Sequence, residues 1–163
     1  MNKHAYRFAI LTFVLLLGVS FVGFNALAQN SPAPSRPGEA DAAAIRQAAL
    51  DYIEGWYEGS AERMERALHP ELAKRIVRTD PKSGRSSLGQ MSALSLVLGT
   101  RNGGGKNTPK EKQQKDVTIL DVFENAASVK VVANDWIDYL HMAKWNGRWV
   151  IVNVLWELKP DSK

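Results

Sequence analysis

The sequence predicts an α+β domain, and three observations carry that prediction. Apolar residues recur at helical spacing in the first half of the chain, from Ile45 to Tyr57 and again from Met64 to Leu68. Runs rich in β-branched and aromatic residues fill the second half, from Val117 onward. Asn146-Gly147 stands between the last two of those runs, and Asn-Gly in that setting is the strongest short-range hairpin signal. Helices followed by antiparallel strands is the α+β order.

The first helix is expected from Asp41, a suitable N-cap, through Ile45, Ala48, Ala49, Tyr52, Ile53, Trp56 and Tyr57, with Gly59 closing its C-terminus. Ser60 restarts a second helix to Leu68, striped by Met64, Ala67 and Leu68. His69-Pro70 is read as the stop of that helix, followed by a short turn over 71–76 and a short strand over 75–79. Asp80 to Gly84 reads as a turn. Leu88, Met91, Leu94, Ser95 and Leu98 predict a third amphipathic helix ended by Gly99. Residues 101–115 form a Gly-rich basic loop, expected to be solvated and mobile. Strands follow over 117–123 and 128–135, joined by a tight turn at Asn125-Ala126, and the hairpin completes the set.

A two-residue type I′ turn at Asn146-Gly147 fixes a register. Trp145 then faces Arg148, Lys144 faces Trp149, His141 faces Val152, Leu140 faces Asn153 and Asp138 faces Leu155. One face of the ribbon carries Trp136, Asp138, Leu140, Met142, Trp149, Ile151, Asn153 and Leu155. The other carries Tyr139, His141, Val150, Val152, Val154 and Trp156, among others. Neither is polar enough to be plain solvent surface.

The chain has 163 residues, 45% of them hydrophobic, which suits one domain with an appendage. Met1 to Arg7 is short and basic, Phe8 to Phe24 is uncharged and apolar, and Ala26-Leu27-Ala28 is a small-x-small cleavage signal. That is the pattern of a secretory signal peptide. Residues 1–28 are therefore expected to be removed, leaving a periplasmic or secreted protein. A retained membrane anchor is the alternative, weakened by Gly18, Ser20 and Gly23. Residues 29–40, rich in Pro, Ser and Ala, read as a disordered linker, 41–158 as the domain and 159–163 as a tail.

The absence of cysteine excludes a disulfide staple, thiol catalysis and a lipid-modified N-terminus. Three histidines at positions 4, 69 and 141 offer no metal-ligand spacing. Gly103-Gly-Gly105 is not a phosphate loop, since no Gly-Lys-Ser/Thr follows and no strand precedes it. The basic loop has no aromatic residues to stack bases, so no nucleic-acid partner is expected. No cofactor is implied.

Asp51 to Arg75 (DYIEGWYEGSAERMERALHPELAKR) and Asp138 to Trp156 (DYLHMAKWNGRWVIVNVLW) resemble the lumazine-binding family of the nuclear-transport-factor-2-like superfamily. The resemblance spans 43–158. It implies a cone-shaped, curved antiparallel sheet wrapped around three N-terminal helices, a pocket between the concave face and the first helix, and frequent dimerisation through the sheet. The superfamily holds isomerases, dehydratases, cyclases and non-enzymatic binding domains, so the fold does not fix the function.

Candidate pocket residues are Tyr52, Trp56, Met91, Trp136, Asp138, Leu140 and Asn153. Asp138 and Asn153 would be the two polar groups of an apolar hollow, the usual construction of a small-molecule site. Asp138, desolvated, is a candidate acid–base group, although it equally suits a structural hydrogen bond. His69 is a second acid–base candidate, against the simpler reading of a ring that satisfies a helix-terminal carbonyl. Tyr139, His141, Val152 and Trp156 are expected on a homodimer face. The function expected is an exported binding domain for a small apolar or aromatic molecule, with no catalysis assigned. The alternatives are an isomerase, dehydratase or cyclase, and a dimeric interaction module.

Overall fold

The computed structural model describes residues 38–160; the expected signal peptide, most of the linker and the end of the tail lie outside the described residues. Helix α1 (Glu39–Glu58) begins after Gly38, two residues before the expected cap. Asp41 lies in its first turn, where its carboxylate accepts from Lys144 Nζ at 2.8 Å and Trp149 Nε1 at 2.9 Å. It ties the helix to the last hairpin instead of capping it. Gly59 closes α1 at φ 68°, as its freedom in the left-handed region allows. Helix α2 (Ala61–Ala67) is capped by Ser60 Oγ, which accepts from the Arg63 N–H. Asp51 fastens the two helices together, accepting from Arg63 Nε at 3.1 Å and Arg66 Nε at 2.9 Å.

The next two elements differ from the sequence reading. Strand β1 (Leu68–Thr79) starts where α2 ends, so His69-Pro70 opens a strand and is not a helix stop with a turn behind it. Pro70 has no N–H for a ladder, and regular pairing is interrupted between Leu68 and Ala73. Strand β2 (Ser86–Ser92) and helix α3 (Ala93–Arg101) replace the single helix expected from Leu88 to Leu98. Ser92 is the reason: its hydroxyl accepts from the Ser95 N–H and starts the helix there. A periodicity counted across Ser92 mixes two elements. Leu88, Leu94 and Leu98 are accordingly exposed, and α3 buries Ala93, Leu96, Val97 and Thr100.

Strands β3 (Asp116–Phe123), β4 (Ala126–Val132), β5 (Trp136–Trp145) and β6 (Arg148–Leu158) finish a six-stranded sheet of order β2-β1-β6-β5-β4-β3. The β1–β6 pairing is parallel and the other four are antiparallel, so the sheet is mixed where the resemblance implied an antiparallel one. It is curved and unclosed, with three helices against it. Helix α1 packs on β3, β4 and β6, and Ile45, Ile53, Met64, Leu140, Ile151 and Val154 lie in the core between the layers.

The hairpin turn forms as expected, with Asn146 at φ 49° and Gly147 at φ 78°. Trp145 faces Arg148, Lys144 faces Trp149 and Met142 faces Ile151. There the regular register ends. Val152 is an extra residue, so His141 pairs with Asn153, Leu140 with Val154 and Asp138 with Trp156. Side chains alternate with period two, and one added residue reverses every later one. Val154 and Trp156 thus join Asp138, Leu140 and Met142 on the concave face. Asn153 and Leu155 turn outward with Tyr139 and His141.

Candidate functional site

A cavity of about 320 Å³ opens between α1, α3 and the β1–β6–β5 part of the sheet. Its walls are mainly apolar: Ile53 and Trp56 from α1, Met64 from α2, Met91 from β2, Leu96 from α3, Trp136 from β5 and Trp156 from β6. Two cations reach it from β1, Lys74 and Arg78. The strand places them because Leu72, Lys74 and Ile76 alternate inward and Arg78 continues the same face toward the rim.

Lys74 is 4% exposed and Asp138 is 0% exposed, and they form an ion pair with Nζ 2.5 Å from Oδ1. Lys74 Nζ also donates to Tyr52 Oη at 2.5 Å, and the Tyr52 hydroxyl donates to Asp138 Oδ2 at 3.1 Å. Trp136 Nε1 donates to the same Oδ2 at 2.7 Å. Both carboxylate oxygens of Asp138 are therefore occupied by protein donors. Burial pushes the Tyr52 hydroxyl well above its ordinary pKa, and the Asp138 charge adds to the rise, which keeps it a neutral donor. Burial also pulls Lys74 below its ordinary value, against the opposing pull of Asp138. The ammonium lies among three rings, 4.9 Å from the Trp156 centroid, 5.3 Å from Tyr52 and 5.9 Å from Trp136.

Of the residues expected at the pocket, Tyr52, Trp56, Met91 and Trp136 line it. Asp138 sits one layer behind, in contact with the cavity through Lys74, Tyr52 and Trp136. Leu140 lies in the core and not on the wall. Asn153 is off the site altogether, because the Val152 bulge puts it on the outer face, where it accepts from Arg75 Nη1 at 3.0 Å and meets His141 Nδ1 at 3.2 Å. The proposed Asp138–Asn153 pairing is thus corrected by one residue of register. Trp156, expected on the dimer face, is corrected the same way and lines the cavity. His69 is also away from it, its Nδ1 accepting from the Glu71 N–H at 3.1 Å and its ring edge-on to Trp145 at 4.9 Å.

Lys74 and Arg78 are what sequence reasoning missed. A charged residue is ordinarily solvated; Lys74 falls in the expected turn over 71–76, and Arg78 in the expected strand over 75–79 with no face assigned to it. The alternation Leu72-x-Lys74-x-Ile76 was the available signal for a strand with an inward lysine.

The Gly-rich loop, expected to be free, is packed on α1. The Gly105 N–H donates to the Trp56 carbonyl at 3.0 Å, and Lys115 pairs with Glu54 at 2.5 Å. A Cβ on Gly105 would lie 2.6 Å from Trp56 Cδ1 and 2.9 Å from Tyr57 Cδ1. Gly105→Ala is therefore expected to cost about 1–3 kcal/mol through overpacking. It should also displace the Trp56 ring, which faces Trp136 edge-on at 6.4 Å. Urea unfolding and the tryptophan emission maximum check both; an unchanged midpoint and spectrum would contradict the close packing.

A curved open sheet over three helices, with a cavity between sheet and α1, is the fold of the nuclear-transport-factor-2-like proteins. The chain is similar to an NTF2-like protein of unknown function from Methylobacillus flagellatus KT, with 21% identity over 77% of this chain and 98% of that one, at a TM-score of 0.60. It is similar to another from Silicibacter pomeroyi DSS-3, with 16% identity over 74% and 97%, at 0.54. An NTF2-like protein with a cystatin-like fold from Novosphingobium aromaticivorans matches with 10% identity over 74% and 83%, at 0.53. These likenesses concern the fold. No curated protein matches the chain. The family model described as "Putative lumazine-binding" matches residues 40–157, and the chain belongs to that family.

Proposed function

We propose that this chain is an exported binding domain that holds a small, largely apolar or aromatic molecule in the cavity between α1, α3 and the sheet. The observation that carries the reading is the cavity itself, whose volume of about 320 Å³ is contained by apolar side chains and three indoles. Small-molecule sites are typically of this size, mostly apolar, with a few placed polar groups. Membership of a family described as lumazine-binding supports a small ligand. Binding is favoured over isomerase, dehydratase or cyclase chemistry because Asp138, the one carboxylate at the site among the described residues, has both oxygens committed to Lys74, Tyr52 and Trp136. A general base needs a lone pair within reach of its substrate.

Native mass spectrometry of protein purified gently from its own source tests this. A co-purifying small molecule is expected, and Trp56→Ala should lose most of it. A clean apo mass, together with no thermal shift from any aromatic probe, would reject the reading. The same spectrum tests export, since cleavage after Ala28 predicts a mature chain beginning at Gln29.

Homodimerisation through the outer sheet face is a second reading. Tyr139 and Leu155 face one another there at 45% and 50% exposure, and Val77 faces Leu88, also exposed. Exposed apolar surface of this kind marks interaction sites. His141 lies on the same face, opposite Asn153. Leu155→Glu should convert a dimer to soluble monomer in light scattering, and an unchanged mass would remove this face from consideration.

A further inference from the structure

The polar groups at the cavity are unequal in kind. Its acceptors are engaged internally: Asp138 Oδ1 by Lys74, Asp138 Oδ2 by Tyr52 and Trp136, Tyr52 Oη by Lys74, and the Ser95 hydroxyl by that of Ser92. Its donors are in excess. Trp156 Nε1 is buried and, among the described residues, has no hydrogen-bond partner. Buried unpaired donors are rare enough in native proteins to need an explanation. Arg78 lines the same cavity, 6.0 Å from the Trp156 ring centroid, and no carboxylate among the described residues pairs with it. The Trp156 indole therefore lies between two cations, Lys74 and Arg78, with its own N–H unused. One of those charges is cancelled by Asp138; the other is not.

We infer that the ligand is an amphiphilic carboxylate, an apolar or aromatic body ending in a carboxylate that Arg78 and the Trp156 N–H receive at the inner edge of the cavity mouth. The inference rests on the binding reading above and names the chemical class of its ligand. A carboxylate supplies what the site lacks, an acceptor with up to four lone-pair directions. A guanidinium suits it, because its fork matches the two oxygens and its charge shortens and strengthens the bonds. Lys74, held by Asp138 and Tyr52, contributes positive potential without leaving its pair. The apolar body then takes the space among Trp56, Trp136, Met64 and Leu96. An amine ligand would meet Arg78 and Lys74 as like charges. A neutral ligand would draw no attraction from the Arg78 charge.

The test pairs each acid with the alcohol of the same skeleton: 2-naphthoate with 2-naphthalenemethanol, octanoate with octanol and decanoate with decanol. All are titrated calorimetrically into the mature domain and into Arg78→Gln. Arg78 is exposed, so this variant leaves the core and the Lys74–Asp138 pair intact. The expected result is that the better-fitting acid binds on the order of tenfold more tightly than its alcohol, the effect of one charged hydrogen bond, and that Arg78→Gln removes the preference. Acids and alcohols binding equally would overturn the carboxylate inference and leave the pocket reading standing. A preference that survives in Arg78→Gln would overturn the placement of the carboxylate at Arg78. No binding by any of the six would overturn both readings.

Discussion

Replacing Asp138, one layer behind the cavity wall, by alanine is expected to destabilise the domain by about 3–5 kcal/mol. The cost arises less from the lost attraction than from what remains. Lys74 would keep an ammonium in a site 4% exposed, with only the Tyr52 hydroxyl to accept from it. Tyr52 Oη and Trp136 Nε1 would also lose the acceptor they share. A buried charge without its partner is far more costly than the pair was beneficial. The double variant Lys74→Met/Asp138→Asn removes both charges and keeps a carbonyl oxygen for Tyr52 and Trp136. It should recover at least half of the loss. Urea unfolding of the three proteins checks this, and an Asp138→Ala loss below about 1 kcal/mol would show that the pair does not hold the cavity floor.

Trp149→Ala should cost about 3–5 kcal/mol, the usual range for removing a buried tryptophan. Trp149 is 5% exposed on the concave face of the hairpin, and its Nε1 donates to Asp41 Oδ1 across the interface between β6 and α1. Trp149→Phe separates the two contributions. It keeps most of the apolar volume and loses one hydrogen bond, so it should cost about 1–2 kcal/mol. Equal losses in both variants would mean that the bond to Asp41, and not the packing, fastens the hairpin to the first helix.

The packing of Trp149 shows how much of this fold could be read before any coordinates. The Asn146-Gly147 turn fixes Lys144 opposite Trp149, and the alternation from that turn places Trp149, Ile151, Met142 and Leu140 on one buried face. Local chemistry decides these matters, since a two-residue turn with positive φ admits few residues and sets the register beside it. The same holds for Gly59 after α1 and Ser60 before α2. The aromatic positions Tyr52, Trp56 and Trp136 were also legible at the cavity, because helical spacing and strand alternation each point one way. Where two periodicities overlap, the local pattern misleads. Leu88 to Leu98 fits a helix stripe, yet Ser92 divides it between β2 and α3.

What the sequence determined by itself, then, is the class of the fold, the Asn146-Gly147 turn, the Gly59 and Ser60 caps, and the Tyr52, Trp56 and Trp136 part of the lining, all of which rest on interactions within a few residues. The tertiary structure decided three things that no local pattern contains. The parallel docking of β1 on β6 turned a segment that reads as a helix stop into a strand whose lysine faces inward. The extra residue at Val152 reversed the end of β6, sending Asn153 out and Trp156 in. The close approach of the Gly105 backbone to Trp56 converted a loop that looks solvated into part of the wall supporting the cavity. Each depends on residues far apart in sequence meeting across the sheet or against α1, and the charge at the site follows from those meetings: Lys74, Asp138, Trp156 and Arg78 become neighbours only once the sheet has curved around the helix.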